Sequence, residues 1–449
     1  MKSESRLSHF FYNNFRRYHR YRRWYFRRFT TIGQFAQGVL LFSAVLGINT
    51  QQAVAYQIFG LTFAMFIVAL ARVTFLNRPA LPTLSILRLL PRYATVGEEV
   101  RYRLRLSQHS SATLTGFSLI ESHHDPRPDF IQFSQAREPG SERLNRYDRF
   151  IGYYRWSWLI KKNEVSQIDE LQLPPLPPGK PIEVQHNFTP RFRGQLTLSG
   201  VTVARLDPLG LCRATRELPL PGSILVLPRT YQIPPLNLPG QLHHQPEHRV
   251  SAAANGDGEE IAGLRDYRPG DSLRDIHWKS FARTGMPVVK EYQAEYCERH
   301  ALLLDNFGTP EGAAFEEAVS LAASFVGNLY SGQCLLDLLF VEAQCHCFTM
   351  GPGELQAEAL MRVLALVKPC ADAALPALTS SILSRRSELS SCICILLDWD
   401  AERQQMISEL RAHGLPLLVL LVSQLPPNDC PQWLHRIIPG KVEEGLSQL

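Results

Sequence analysis

No charged residue occurs between positions 32 and 71, which excludes a solvated surface segment there. Two apolar runs, residues 32–48 and 53–71, fill this stretch and are separated by four polar residues. Each run is close to the length that crosses a bilayer core of roughly 30 Å. A signal-peptide cleavage pattern is also missing, so the sequence predicts a hairpin of two transmembrane helices in residues 32–76.

Acidic residues are nearly absent from residues 1–31, where Glu4 accompanies nine Lys or Arg residues. The segment therefore carries most of the positive charge, and the rest of the chain is mildly acidic. Arg is interleaved with Tyr, Phe and Trp between positions 9 and 29, a mixture that suits either nucleic acid or an anionic membrane surface. Because the apolar runs follow directly, we expect the membrane surface. Nucleic-acid binding through this basic arm is the alternative.

The orientation of the chain follows from where the positive charge lies. A basic arm precedes the first apolar run, whereas the loop between the runs has no charge. Positive segments favour the cytoplasmic side, so the arm and everything after Arg72 are expected in the cytoplasm. The cysteines number nine, which is odd, and their irregular spacing disfavours a disulfide framework and is typical of reduced thiols. The sequence thus predicts a multi-pass membrane protein whose bulk is cytoplasmic.

Residues 80–230 have the alternation of apolar and polar positions that is typical of β-strands. Residues 99–107 and 195–206 alternate in this way, and residues 150–160 are expected to form an aromatic-rich strand. Pro-rich turns separate these segments. Short strands with such turns predict a β-sandwich.

A linker and an α/β domain are predicted for the second half of the chain. Residues 231–258 are rich in Pro, His, Gln and Gly and have no apolar period, which is typical of a linker. In residues 300–440, short buried strands alternate with segments of helical pattern. This alternation predicts a mostly parallel sheet with helices on both faces. Ligands of such sheets bind at the carboxyl ends of the strands.

The segment between these regions, residues 259–299, is rich in charge but has no excess of either sign. Six basic and six acidic residues alternate between positions 259 and 291, which excludes the basic surplus of a nucleic-acid groove. We expect a turn at residues 269–271, then a helix over residues 272–282 that Asp271 caps and from which Trp278 anchors the segment on the next domain. The segment is either a structural brace of Arg–Asp pairs or a docking surface for a partner protein. The residues expected at that surface are Arg265, Tyr267, Asp271, Arg274, Trp278 and Arg283.

The same segment resembles the signature of a bacterial family catalogued as domain of unknown function fifty-eight. In that family the pattern R-x-Y-x-x-G-D-x-x-R-x-I-x-W-x-x-x-A-R precedes a von Willebrand factor A-like domain. The R-x-R-G at residues 191–194 and the D-P-L-G-L at residues 207–211 are similar to two upstream strands of the family. The matching signature residues are Arg265, Tyr267, Gly270, Asp271, Arg274, Ile276, Trp278, Ala282 and Arg283.

The resemblance implies a multidomain fold class: a transmembrane helical hairpin, a β-sandwich, and a von Willebrand A-like doubly wound α/β sheet at residues 300–440. It implies the bacterial inner membrane as the location. It also implies a partner, an AAA+ ATPase of the MoxR type that acts in assembly or maturation of other proteins. The function expected on this basis is that of a membrane-anchored, cytoplasm-facing interaction protein that is not an enzyme.

No catalytic constellation stands out in the sequence, and the leading candidate metal site is incomplete. Von Willebrand A domains often bind a divalent cation through D-x-S-x-S after the first strand, and the corresponding loop here runs from Asp305 to Thr309. Phe307 replaces the middle hydroxyl and cannot bind a hard cation. We therefore expect no cofactor. A cation held by Asp305, Thr309 and Asp398 is the alternative, and with it a metal-dependent hydrolase that uses Asp305 and Asp398.

Overall fold

The computed structural model of the chain divides into two compact units, Met1–Leu227 and Pro228–Leu449, which we call the amino-terminal and carboxyl-terminal units. Each unit contains its own hydrophobic core, as is usual for separate domains. The structure describes residues 2–46, 53–77, 84–108, 113–123, 125–138, 140–141, 144–164, 166–234, 243–244, 261–292, 296–307, 313–329, 334–341, 345–351, 354–370, 375–426 and 431–448.

The basic amino-terminal segment, predicted only as an arm, is one long helix, α1 (Lys2–Arg28). Tyr12 on this helix is 6% exposed, and its ring meets those of Phe133 and Trp156 at 5.8 and 5.7 Å. Its hydroxyl donates to the carbonyl oxygen of Pro128 at 3.1 Å. The helix therefore packs an aromatic face on the rest of the unit and is stabilised by that contact more than by helix propensity.

A small helical layer lies against α1, and part of it replaces a predicted strand. It consists of α4 (Phe130–Gln135), α5 (Arg146–Ile151) and α6 (Tyr153–Asn163). The strand predicted for residues 150–160 was wrong, because the aromatic residues fit a helical spacing as well as an alternating one. Trp156 and Leu159, three positions apart, share the buried face of α6.

Two apolar helices follow α1. They are α2 (Thr31–Leu46) and α3 (Ala53–Ala71), and a π-helical turn continues α3. Within the described residues, one helix, Val54–Thr74, is long and apolar enough to cross a membrane, whereas α2 is apolar but shorter. Only 11% of the apolar window in the longer helix is buried, so most of its apolar surface is exposed. Of the two predicted spans, the second is thus a candidate span within the described residues, and the last residues of the first, 47–48, lie outside them.

The rest of the amino-terminal unit confirms the β-rich character predicted for it. One sheet has four antiparallel strands in the order β1-β3-β7-β5, with bounds Leu84–Leu89, Val100–Gln108, Ile182–Pro190 and Ser166–Ile168. The other has five strands in the order β2-β9-β8-β4-β6, with bounds Tyr93–Thr95, Arg213–Leu227, Gly194–Leu206, Phe117–His123 and Leu171–Gln172. Residues of both sheets share one core.

A buried ion pair ties the two sheets together. Arg88 of β1 and Glu121 of β4 approach to 2.6 Å, with side chains 3% and 0% exposed. Tyr102 of β3 donates its hydroxyl to the same carboxylate at 2.7 Å, and Arg88 also donates to the carbonyl oxygen of Leu220 at 2.7 Å. Buried charges are tolerated when further hydrogen bonds satisfy them in this way.

The carboxyl-terminal unit contains the mixed α/β sheet that the sequence predicts. Its strand order is β15-β14-β13-β16-β17-β18; β15 is antiparallel to β14, the other neighbours are parallel, and the short β10 (His243–His244) pairs with β13. In chain order the six strands are β13 (Tyr296–Leu304), β14 (Cys334–Val341), β15 (Cys345–Met350), β16 (Ser391–Leu396), β17 (Leu417–Val422) and β18 (Leu434–Ile437). The helices are α8 (Ala313–Leu329), α9 (Glu354–Leu366), α10 (Leu375–Ser384), α11 (Ala401–Ala412) and α12 (Val442–Leu446).

Helices cover both faces of this sheet. Leu302 and Leu304 of β13 pack in one core cluster with α8 and α9, and Ala301 and Leu303 pack in another with α10 and α11. All four residues are 0% exposed. A strand buried on both faces has a continuous apolar sequence, which is why it could be recognised in advance.

The predicted linker begins with a residue that is packed. Tyr231 donates its backbone N–H to Ser324 and its hydroxyl to Glu317, at 2.8 and 2.6 Å, and so lies on α8. Most of residues 235–260 lie outside the described part of the chain.

The loop of residues 207–212, which contains the D-P-L-G-L motif and Cys212, contacts the start of α2. Asp207 is buried, and its carboxylate accepts two backbone N–H groups of the loop at 2.6 and 3.0 Å. The carbonyl oxygen of Leu211 accepts the backbone N–H of Thr30 at 3.2 Å. The Thr30 hydroxyl accepts the N–H of Gly33 at 2.9 Å and caps α2. We call this contact the α2 junction.

Substitution of Gly33 should disrupt the α2 junction. A Cβ at position 33 would overlap the carbonyl oxygen of Leu211, whereas a Cβ at Gly38 of the same helix meets nothing within 4 Å. We expect Gly33→Ala to lower the stability of the full chain by about 1–3 kcal/mol, the usual cost of overpacking. Gly38→Ala should leave stability unchanged or raise it. Thermal unfolding in detergent would measure both, and equal melting temperatures would contradict the packing described.

Candidate functional site

The predicted signature segment forms a separate two-stranded hairpin. β11 (Ile261–Asp266) pairs antiparallel with β12 (Val288–Tyr292), and a 3₁₀ turn (Leu273–Asp275) and a short helix, α7 (Trp278–Thr284), lie between them. We call residues 261–292 the signature hairpin. The single helix predicted for residues 272–282 was wrong, because Ile276 adopts an extended conformation and bridges to Val289 of β12. Both side chains are buried.

One Arg–Asp pair braces the turn of the hairpin. Two guanidinium nitrogens of Arg265 donate to the two carboxylate oxygens of Asp271 at 2.7 and 2.8 Å. The backbone N–H of Arg268 donates to Asp271 at 2.8 Å. The hydrogen bonds from Arg265, followed by that from Arg268, lower the pKa of Asp271 to about 2. Asp271 therefore closes the turn; the residue that caps the next segment is Ser272.

The other predicted surface residues project into solvent. Trp278 is 60% exposed, so its expected role as an anchor on the next domain was wrong. Its ring contacts that of Phe281 edge to face, with centroids 6.0 Å apart. Arg274 and Arg283 are exposed near it. Tyr267 is half-buried, and its backbone N–H donates to Pro287 at 3.0 Å.

Five large apolar side chains of this hairpin are exposed, and the rings of two of them, Trp278 and Phe281, are in contact. Contiguous exposed apolar groups mark interaction sites on protein surfaces. We call the set the apolar patch, and it comprises Leu264, Leu273, Trp278, Phe281 and Met286, which are 47%, 65%, 60%, 37% and 66% exposed.

The carboxyl end of β13 carries a second candidate residue, Asp305. It is 0% exposed, and its carboxylate accepts the backbone N–H groups of Phe307 and Leu397 at 3.0 and 2.9 Å. Arg403 on α11 donates to both oxygens of the same carboxylate, at 2.6 and 3.1 Å. Arg403 also donates to the carbonyl oxygen of Phe307 at 3.0 Å. A guanidinium thus supplies the positive charge beside Asp305.

Asp398, the other described residue considered as a cation ligand, is hydrogen-bonded within its own loop. Asp398 is exposed, and its carboxylate accepts the backbone N–H of Trp399 at 2.7 Å. Thr309 lies outside the described residues. Among the residues that the structure describes, no group of three His, Cys, Asp or Glu side chains could hold a metal ion.

Sequence reasoning missed Arg403. The available indication was Asp400, which accepts the backbone N–H of Arg403 at 3.0 Å and so caps α11. A capped helix following β16 places its first turn at the carboxyl edge of the sheet, where Asp305 also lies.

The signature hairpin, the strands of the α/β sheet and the position of Asp305 together prompt a comparison with known families. Residues 263–421 match the family model described as "Protein of unknown function DUF58". The matched segment runs from β11 of the hairpin to β17 of the sheet. It therefore includes both candidate sites.

A curated relative and two solved structures are also similar to the chain. "Uncharacterized protein YeaD" of Bacillus subtilis (strain 168) is 26% identical over 179 residues, which cover 39% of this chain and 43% of the relative. The CARDB domain of a Pyrococcus furiosus protein is 10% identical and covers 32% of this chain, with a TM-score of 0.16. The SrpA adhesin of Streptococcus sanguinis is 16% identical and covers 41%, also with a TM-score of 0.16. Scores this low carry no argument about fold.

The Asp271 brace should make the hairpin sensitive to acid. Its folded pKa, about 2, lies below its ordinary value of 3.8, so its stabilisation is complete above about pH 4 and is lost as the pH falls through 2. We expect Asp271→Asn to speed amide exchange in β11 and β12 at pH 6, and this difference from wild type should vanish toward pH 2. Hydrogen-exchange mass spectrometry at matched pH would measure it. Asp266→Asn, an exposed change on the same hairpin, is the control; an equal effect would contradict the brace.

Arg403 should stabilise the carboxyl-terminal unit strongly. Arg403→Met would leave the buried carboxylate of Asp305 without its partner, which typically costs roughly 3–5 kcal/mol. Arg411→Met on the same helix removes only a cation–π contact with Trp433, worth about 0.5–1 kcal/mol. Urea unfolding of the full chain in detergent would compare them. Equal losses for the two variants would show that Asp305 does not depend on Arg403.

Proposed function

We propose that the chain is a membrane-anchored interaction protein whose signature hairpin docks a partner protein. The observation that carries the proposal is the apolar patch on the hairpin, in which Trp278 is 60% exposed. Aromatic residues together with arginine supply most of the binding energy at protein interfaces. Arg274 and Arg283 lie exposed in the same segment and add charges at the edge of the patch.

The brace supports docking because it makes the surface rigid before binding. The bidentate Arg265–Asp271 pair fixes the turn, and the buried residues Ile276 and Val289 fix the hairpin beneath the patch. A preorganised surface loses less conformational entropy when it binds. The two interpretations of the signature, brace and docking surface, are therefore compatible: Arg265 and Asp271 hold the turn, and Trp278 is exposed for contact.

The α/β sheet is proposed to be a von Willebrand A-like domain. Numbered along the chain from β13, its strands have the order 3-2-1-4-5-6, with the third antiparallel. A doubly wound order of this kind brings the carboxyl ends of its first and fourth strands together, where ligands of such folds bind. Asp305 lies at this point, but its carboxylate already accepts four hydrogen bonds, so the proposal gives it a structural role.

Anchoring by α2 and α3 is supported by their exposed apolar surfaces. Phe35 and Leu41 of α2 are 75% and 68% exposed, and Val54 and Leu61 of α3 are 67% and 64% exposed. Such surfaces are stable in lipid and costly in water. We propose that both helices enter the bacterial inner membrane as a hairpin, with the bulk of the chain in the cytoplasm as the basic α1 favours.

The proposed partner is an AAA+ ATPase of the MoxR type, which acts in assembly or maturation of other proteins. This partner comes from the family resemblance of the signature, and the exposed Trp278, Arg274 and Arg283 are compatible with a protein ligand. Nucleic acid is a weaker candidate for this hairpin because its acidic and basic residues balance.

Trp278→Ala tests the docking proposal with little risk to folding. Because the side chain is mostly exposed, its loss should change stability by about 0.5 kcal/mol or less. Loss of an aromatic interface anchor should weaken capture of the purified ATPase by about 2 kcal/mol or more, roughly thirtyfold in Kd. Surface plasmon resonance with the full chain in nanodiscs would measure the change.

The matched control is Leu425→Ala, which removes another exposed apolar side chain, 76% exposed, outside the signature hairpin. It should leave the Kd unchanged. The same Kd for wild type, Trp278→Ala and Leu425→Ala would contradict the proposal that the patch is the docking surface.

A further inference from the structure

A cleft lies between α1 and the outer face of the five-stranded sheet, within the amino-terminal unit. Its volume is about 640 Å³, in the range of small-ligand sites. Strands β4, β8 and β9 form one wall, and the second half of α1 forms the other. The residues that line it are His19, Arg20, Arg23, Trp24, Arg27, Arg28, Ser122, Asp125, Arg127, Ser199, Thr202, Thr215 and Glu217.

The charges that line the cleft do not balance. Five arginines face two carboxylates, and both carboxylates are already paired. Glu217 accepts from Arg27 at 2.8 Å, and Asp125 accepts from Arg127. Arg20 and Arg23 have no ion-pair partner among the described residues. Burial, followed by the nearby charge of Arg27, lowers the pKa of Arg23, although the carboxylates of Asp125 and Glu217 act in the opposite direction.

Two residues that line the cleft also carry buried polar atoms without partners. Within the described part of the chain, Nδ1 of His19 and Nη1 of Arg127 are buried and have no hydrogen-bond partner. Buried polar atoms are normally satisfied, so these two atoms mark unmet hydrogen-bonding capacity beside the cleft. Hydroxyls of Thr202 and Ser122, 3.3 Å apart, lie on the sheet side of the same cleft.

The spacing on α1 puts the cationic groups on one face. Positions 20, 23, 24, 27 and 28 follow the three- and four-residue spacing of a helix, so four arginines and Trp24 point to the same side. Arginine is the side chain best suited to hold phosphate oxygens, through two parallel hydrogen bonds, and serine and threonine hydroxyls add neutral donors. The combination of arginines, hydroxyls and one aromatic ring fits a ligand in which a phosphate group is esterified to an organic group.

We propose that this cleft binds the phosphate of an anionic phospholipid headgroup. The position of the cleft selects the lipid as the source of that phosphate, because Arg27 and Arg28 immediately precede α2, which starts at Thr31. Two residues separate α1 from the exposed apolar helix α2. If α2 enters the membrane there, lipid headgroups would lie beside the cleft. The inference adds a ligand to the amino-terminal unit and uses none of the residues of the signature hairpin.

Titration calorimetry on the full chain in a nonionic detergent tests the site. The probes are a short-chain phosphatidylglycerol below its micelle concentration, the matching phosphatidylcholine, inorganic phosphate and a short single-stranded oligonucleotide. We expect saturable binding of phosphatidylglycerol, with the other three weaker. Arg20→Gln combined with Arg23→Gln should raise the Kd roughly tenfold or more, as expected for lost charge-assisted hydrogen bonds.

The matched control is Arg17→Gln combined with Arg22→Gln. It removes the same charge from exposed positions of α1 that do not line the cleft, and the Kd should stay within about twofold of wild type. Melting temperatures of both double variants would show that each remains folded. Equal loss in the two variants, or no saturable binding, would overturn the site. Phosphate or oligonucleotide binding as tight as phosphatidylglycerol, with the same dependence on Arg20 and Arg23, would overturn the lipid as its occupant.

The choice of a lipid rests on the proposed membrane anchoring but not on the apolar patch, so failure of docking and failure of headgroup binding can be told apart. Loss of partner capture in Trp278→Ala with unchanged lipid binding supports docking alone. The reverse pattern in the Arg20/Arg23 double variant supports the headgroup site alone.

Discussion

The α2 junction is the contact on which the arrangement of the amino-terminal unit depends. Only Phe29 and Thr30 separate α1 from α2, and both contact the loop: Phe29 bridges to Cys212 and Thr30 donates to Leu211. The loop that provides this carbonyl oxygen is held by the buried carboxylate of Asp207. Strands β8 and β9, which the loop joins, also form a wall of the arginine-lined cleft. The direction of the apolar helices and the shape of the cleft are therefore set by the same few hydrogen bonds.

Sequence patterns located the elements of the α/β sheet well because those strands are buried on both faces. Runs such as residues 300–306 and 391–398 have no other stable environment than the centre of a covered sheet, and the helices between them follow from their apolar spacing. The same reasoning failed at residues 150–160, where Trp156 and its neighbours fit either period. It also gave an arm where α1 folds, because the spacing of its arginines and aromatic residues was interpreted only as a basic surface and not as the period of a helix.

The sequence predicted which residues belong to the candidate site, but it did not predict how they are arranged. The sequence predicted Arg–Asp pairing and a turn at residues 269–271, but it did not show that Arg265 is the partner of Asp271, to which it assigned a helix cap. Whether Trp278 is buried or exposed depends on what packs against α7, which no local pattern records. The role of Arg403 was equally hidden, since it lies 98 positions from Asp305 along the chain. Contacts of this separation depend on the topology of the sheet.

The Asp305–Arg403 pair has a consequence for how the carboxyl edge of the sheet responds to its surroundings. A bound ion leaves and returns according to its concentration, but a guanidinium carried on α11 is always present at the same position. The backbone at Phe307, which Arg403 also holds, is accordingly set once, when the unit folds. An edge built this way gives a partner one fixed shape, whatever the ionic composition of the cell.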